Sequence, residues 1–143
     1  MQLRQAKLDE WEQIYKLGGK NSKLLGPSNP AEIRDAIAKE SLLVVSHEDK
    51  IVAFCLYNVL KRSDMITVNQ ICVDDNYRGN KLASKMLDHI LDTYKRNIKT
   101  TCVKDSTAEL FWSKVAEKYE ELPGKKRPIC RYRIEKFKSR RLF

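Results

Sequence analysis

Apolar and polar positions along this chain switch between the period of a strand and the period of a helix. The switches mark out a series of short segments. Gln2 to Ala6 reads as an opening strand. Leu8, Trp11, Ile14 and Tyr15 fall on one helical face, so a helix is predicted over Leu8–Leu17, acidic in its first turn and stopped by Gly18-Gly19. Asn21 to Asn29 is a polar loop carrying Gly26-Pro27. Asn29 and Pro30 then open a second helix to about Lys39, with Ile33, Ala36 and Ile37 facing inward.

The middle of the chain changes period. Ser41–Ser46 and Ile51–Leu60 are apolar runs joined by the turn His47-Glu48-Asp49-Lys50, and Met65–Val73 follows as a third strand. Helical spacing returns over Leu82–Arg96 (Leu82, Met86, Leu87, Ile90, Leu91). A strand is expected over Ile98–Val103, a helix from Ser106 to about Glu121, and a last strand over Ile129–Phe137 after Pro123-Gly124. The predicted order is strand, helix, helix, three strands, helix, strand, helix, strand. Hairpins followed by crossover helices imply an α/β protein whose mixed sheet carries helices on both faces.

One junction stands out chemically. The apolar run Ile71-Cys72-Val73 breaks at Asp74-Asp75-Asn76, and Tyr77-Arg78-Gly79-Asn80-Lys81 leads directly into the helix starting at Leu82. A strand, a glycine-bearing basic loop and a helix start aim backbone N–H groups and two cations at one point. That is an anion site suited to phosphate.

Composition narrows the class. The 143 residues suit one domain over 1–143, and 42% hydrophobic content with 5 Gly and 4 Pro is that of a globular chain. No apolar stretch is long enough to span a membrane, and the first residues lack the apolar core of a signal peptide. Cys55, Cys72, Cys102 and Cys130 are widely spaced. They read as reduced thiols of a cytoplasmic protein, with no metal site expected. The chain is expected to be a monomer or homodimer that does not associate with membrane.

Charge is uneven. Of the net +9, the strand and tail over residues 125–143 hold nine cations against one anion, Glu135, or +8. Such a segment suits an acidic partner, nucleic acid included, or a solvated strand face with a basic terminus.

The junction also carries a resemblance. Arg78-Gly79-Asn80-Lys81-Leu82-Ala83 after Ile71-Cys72-Val73 resembles the acyl-CoA segment of the GCN5-related N-acetyltransferases (GNAT fold), whose pattern is R/Q-x-x-G-x-G/A. Lys81 stands where that pattern has its first glycine. The predicted element order is also that of the GNAT fold, with a central mixed sheet of six to seven strands. The compact, lysine-rich build is similar to small virus-encoded relatives that act on DNA bases.

The resemblance implies an acetyl-CoA-dependent N-acetyltransferase that moves an acetyl group to an amine by direct attack in a ternary complex. The acceptor would be a small molecule or a protein. The alternatives are a nucleic-acid-directed transferase, with the basic tail on phosphates, and a non-catalytic CoA-binding regulator. The CoA contacts it implies are Ile71, Val73, Arg78, Gly79, Asn80, Lys81, Leu82, Ala83, Asp105 and Trp112.

Catalysis departs from the family pattern. The strand before the loop reads Thr67-Val68-Asn69-Gln70, with no carboxylate where many members carry a base. The later helix has Asp105 in place of the family's Asn and Trp112 in place of its Tyr, and an indole cannot supply a proton. Tyr57, Gln70 and Asp105 are the candidate catalytic groups, with Asp64 and Asp74 as further carboxylates. Cys102 is read as a core cysteine rather than a nucleophile. Trp11, Tyr15, Leu24 and Leu25 correspond to the acceptor region. His47 and His89 read as surface residues.

Overall fold

The computed structural model describes residues 1–20, 29–60, 62 and 64–136. The described strands are β1 (Gln2–Gln5), β2 (Leu42–His47), β3 (Lys50–Val59), β4 (Met65–Val73), β5 (Asn97–Val103), β6 (Glu117–Leu122) and β7 (Ile129–Ile134). The helices are α1 (Trp11–Lys20), α2 (Pro30–Ala38), α3 (Leu82–Tyr94) and α4 (Thr107–Val115). Seven strands form one sheet in the order β1-β2-β3-β4-β5-β7-β6. Only the β4/β5 pairing is parallel.

The continuous apolar runs of β2 and β3 have a direct cause: both faces of these strands are covered. Alternate residues Leu43, Val45, Cys55 and Tyr57 pack with α3 and α4 through Leu82, Met86, Ile90 and Trp112. Their neighbours Leu42, Val44, Phe54 and Leu56 pack with α1 and α2 through Ile14, Leu17, Ile33 and Ile37. Each such fully buried side chain contributes roughly 1.5–3 kcal/mol relative to exposure. Asn29 caps α2 as its sequence suggests, its side chain accepting from Glu32 N at 2.8 Å.

Several predicted boundaries move. The first helix does not stop at Gly18-Gly19 but continues to Lys20, because Leu17 and Gly18 lie on its buried face. Packing there outweighs the roughly 1 kcal/mol that each glycine costs a helix. The third helix ends at Tyr94, where Lys95 turns left-handed at φ 54. The helix expected to reach Glu121 ends at Val115, and its second half is β6, hydrogen-bonded to β7. Glu and Lys favour helix in isolation, but here Glu117 and Glu120 sit opposite Arg133 and Arg131 on a sheet edge. The last strand ends at Ile134, and Phe137 lies outside the described residues, as does the loop 21–28 with Leu24 and Leu25. Among the described residues no helix is long and apolar enough to cross a membrane.

Candidate active site

The parallel strands β4 and β5 begin as neighbours and then part. Met65–Val68 pair with Asn97–Thr100, and beyond that rung the pairing stops. Thr100 Oγ1 donates to Val68 O at 2.8 Å and pins the last rung. The strands then diverge around a cavity of about 820 Å³. Its walls are Val68–Val73 and Thr100–Val103 from the strands, Tyr77–Gly79 and Lys81–Ser84 from the basic loop and helix start, and one face of α4 from Thr107 to Val115.

Backbone direction makes this cavity more than a hole. Asp74 N donates to Val52 O at 2.8 Å, toward β3. Antiparallel alternation therefore turns the N–H and C=O groups of Val73 and Ile71 the other way, to the open edge. A bulge sits at Asn69: Leu56 pairs with Gln70 and Tyr57 with Val68, leaving Asn69 without an opposite residue. Such bulges re-aim a side chain, and both Asn69 and Gln70 line the cavity.

At the mouth, α3 starts without a side-chain cap and without an acid in its first turn. Its first N–H groups carry the positive end of the helix dipole. Gly79 takes φ +89, and a Cβ there would meet nothing within 4 Å, so the loop is open at that point. Arg78 bonds Asp75 at 2.8 Å, which offsets part of its charge, while Asn80 Nδ2 donates to Tyr77 O at 3.0 Å. An elongated ligand with amide groups along its stem and phosphates at one end fits this combination.

The sequence matches the Acetyltransferase (GNAT) family over residues 6–112. The chain belongs to that family. No curated protein sequence matches it. Solved structures of similar fold include Ard1 from Thermoplasma volcanium, at 18% identity and TM-score 0.78 over 93% of this chain and 95% of that one. Arabidopsis thaliana Naa50, in complex with the bisubstrate analogue CoA-Ac-MVNAL, has 17% identity and TM-score 0.74 over 94% and 97%. N-acetylglutamate synthase from Neisseria gonorrhoeae, complexed with coenzyme A and N-acetyl-glutamate, has 15% identity and TM-score 0.75. There the match covers 94% of this chain but only 35% of that one.

Within this GNAT fold the sequence candidates separate. Gln70, Ile71, Val73, Arg78, Gly79, Lys81, Leu82, Ala83 and Trp112 all line the cavity. Asn80 and Asp105 do not, and Asp105 is exposed, its backbone N–H donating to Glu109 Oε1 at 2.8 Å. Tyr57 is away from the cavity and 2% exposed. Its hydroxyl accepts from Gln5 Nε2 at 2.8 Å, donates to Glu40 O at 3.2 Å and meets Tyr94 Oη at 2.9 Å. Burial, then the Tyr94 contact, push its pKa upward, so it holds its proton at neutral pH. Asp74 caps the turn after β4 and accepts from Asn76 N at 3.0 Å, and Asp64 is exposed.

Cys102 lines the cavity, but burial pushes its thiol up to about 11, with Glu109 adding to the shift. A thiol in that range carries little thiolate at neutral pH. Trp112 is buried, packed edge-on against Phe111 at 5.2 Å. Among the described residues lining the cavity there is no Asp, Glu or His. No cluster of three or more His, Cys, Asp or Glu in the described residues could hold a metal.

Two positions at or beside the cavity escape sequence reasoning. Lys114 adds a third cation to the wall, and no motif marks it. Glu109 is buried and holds the cavity's outer wall together: Asp105 N–H donates to its Oε1 at 2.8 Å and Tyr132 Oη to its Oε2 at 2.7 Å. Its signal was present, since Ser106-Thr107-Ala108-Glu109 has the S-x-x-E spacing of a helix start, and Ser106 Oγ does accept from Glu109 N at 3.1 Å.

Proposed function

We propose that the protein is an acetyl-CoA-dependent N-acetyltransferase whose preferred acceptor is a free α-amine, attacked directly in a ternary complex. The observation that carries this reading is the split between β4 and β5, with its open backbone edge and its cationic, uncapped helix start. Arg78, Lys81 and the amides of Gly79–Ala83 would hold the phosphates, and the edge of Ile71 and Val73 the pantetheine amides. Bound acetyl-CoA supplies an acetyl thioester. The N–H of Val73 faces the open edge as a donor to an acyl oxygen, and Asn69 and Gln70 orient the incoming nitrogen.

The acceptor preference follows from the lining. With no carboxylate or imidazole among the described lining residues to take a proton, the amine must arrive neutral. At pH 7.5 an α-amine is roughly one-third neutral and a lysine ε-amine about one part in a thousand. Catalysis then rests on positioning, which can supply several kcal/mol. The test is thiol release from acetyl-CoA with a peptide bearing a free N-terminus, against the same peptide with that end blocked and a lysine added. Mass spectrometry should find the acetyl group on the α-nitrogen. Failure of CoA to bind or to raise the melting temperature would sink the reading, and binding without turnover on any amine would leave a regulator.

A further inference from the structure

Three of the six described cations over residues 125–136 are matched in space. Arg131 lies 2.9 Å from Glu120 on the next strand, Arg133 3.2 Å from Glu135, and Lys136 3.1 Å from Asp88. The loop joining β6 to β7 differs. Lys125, Lys126 and Arg127 are consecutive and exposed, and among the described residues they make no ion pair.

The shape of this loop is constrained. Pro123 and Pro128 bracket it, Gly124 takes φ +61, and a Cβ on Gly124 would collide with the Arg127 carbonyl. Lys104 N donates to Pro128 O at 2.9 Å, tying the loop to the end of β5.

Topology sets what it overlooks. Strand β5 runs parallel to β4 and antiparallel to β7, so the β6–β7 loop stands at the same open end of the split as Arg78–Ala83. Its first strand residue, Ile129, is paired with Val103 of the cavity wall. From the last rung at Thr100 to Val103 is about 10 Å along the strand, or three residues of extended chain.

We infer that this loop docks an acidic stretch of the acceptor polypeptide, with Asp or Glu at about its third to sixth residues, while its N-terminal amine enters the cavity. The inference rests on the acetyl-transfer reading above. Nucleic acid offers the same charge but a poorer nucleophile. The lone pair of an exocyclic base amine is delocalised into the ring, and the described lining residues include no carboxylate or imidazole to remove its proton.

The test compares two peptides that differ only in acidic or neutral residues at positions three to six, with the full chain and acetyl-CoA. The native protein should show about a tenfold lower KM for the acidic peptide, and added salt should erase the difference. K125Q/K126Q/R127Q should lose that preference, and K125E/K126E/R127E should shift it toward a lysine-bearing peptide. Fluorescence anisotropy of the labelled acidic peptide reads docking without turnover, so an inactive protein that still binds it through this loop fails the transfer reading alone. A preference that survives the triple Gln variant overturns the proposal. So does a loop that binds a DNA duplex in a salt-dependent way but not the acidic peptide.

Discussion

Lys81 carries the clearest tension at the scale of single residues. It sits at φ 57 and ψ 31 directly before α3, a left-handed conformation that costs an L-residue about 1–2 kcal/mol. Glycine would remove that cost and return about 0.5–1 kcal/mol in chain entropy. Lys81→Gly should therefore stabilise the fold by about 0.5–1 kcal/mol in urea denaturation, while weakening CoA binding by loss of a cation. Glu109 is the opposite case, a residue whose surroundings agree with its charge. The Asp105 N–H first, then Cys130 and Tyr132, hold its carboxyl down to about 2 from the usual 4.5. A lowered folded pKa gives stability that is complete above about pH 4.5 and drains away as pH falls toward 2. Urea midpoints measured from neutral pH into that range should fall more steeply for the native chain than for Glu109→Gln. At neutral pH, Tyr132→Phe should cost about 1.5–3 kcal/mol, the range for a hydrogen bond to a charged group.

At the scale of elements, the parting of β4 from β5 decides whether there is a site at all. Its hinge is one rung, where the Thr100 hydroxyl holds Val68 O. Thr100→Val keeps the side-chain shape and removes that bond, so it should cost about 0.5–1.5 kcal/mol. The amides near the rung should exchange faster in hydrogen exchange, and CoA affinity should fall with them. Unchanged protection there would show that main-chain pairing alone holds the apex. The strand β6 shows why element prediction failed where it did. Glu117–Leu122 has helix-favouring Glu and Lys and no apolar alternation, because it is an edge strand with much of its surface in solvent. Its structure comes from β7, through pairs such as Arg131–Glu120, which local sequence does not contain.

Across the whole molecule, the two helical layers make the sheet a rigid frame, and the cavity is the interruption in it. Ligand binding should thus couple strongly to stability. CoA at a hundred times its Kd should add about 2.7 kcal/mol to unfolding. Replacing Arg78 and Lys81 together by Ala should weaken binding by about 1–3 kcal/mol, measured by calorimetry, with Lys114 left as the remaining cation among the described lining residues. The rate with an α-amine acceptor should rise with pH and level off near about 8, the amine's own pKa. No limb from the protein is expected near neutrality, since the described lining holds no Asp, Glu or His and its Cys102 keeps its proton well above that range. A bell centred near neutrality would point to a titrating group outside the described lining.

The fold class, the element order up to α4 and the basic loop leading into α3 were all legible in the chain, because each depends on neighbours close in sequence. Helical and strand periods record which face is buried, and Asp74–Lys81 records a turn and two cations wherever the rest of the chain goes. Tyr57 read as a cleft residue from its strand, yet its hydroxyl is taken up by Gln5, Glu40 and Tyr94, partners scattered along the chain. The concentrated positive charge read as one tail, yet Glu120 and Asp88 neutralise part of it, and Lys125, Lys126 and Arg127 are exposed with no ion pair among the described residues. Burial, pairing and the loss of pairing between β4 and β5 are properties of distances between remote residues. Those distances set which groups titrate, which cations face solvent and where a ligand fits, and only the folded sheet determines them.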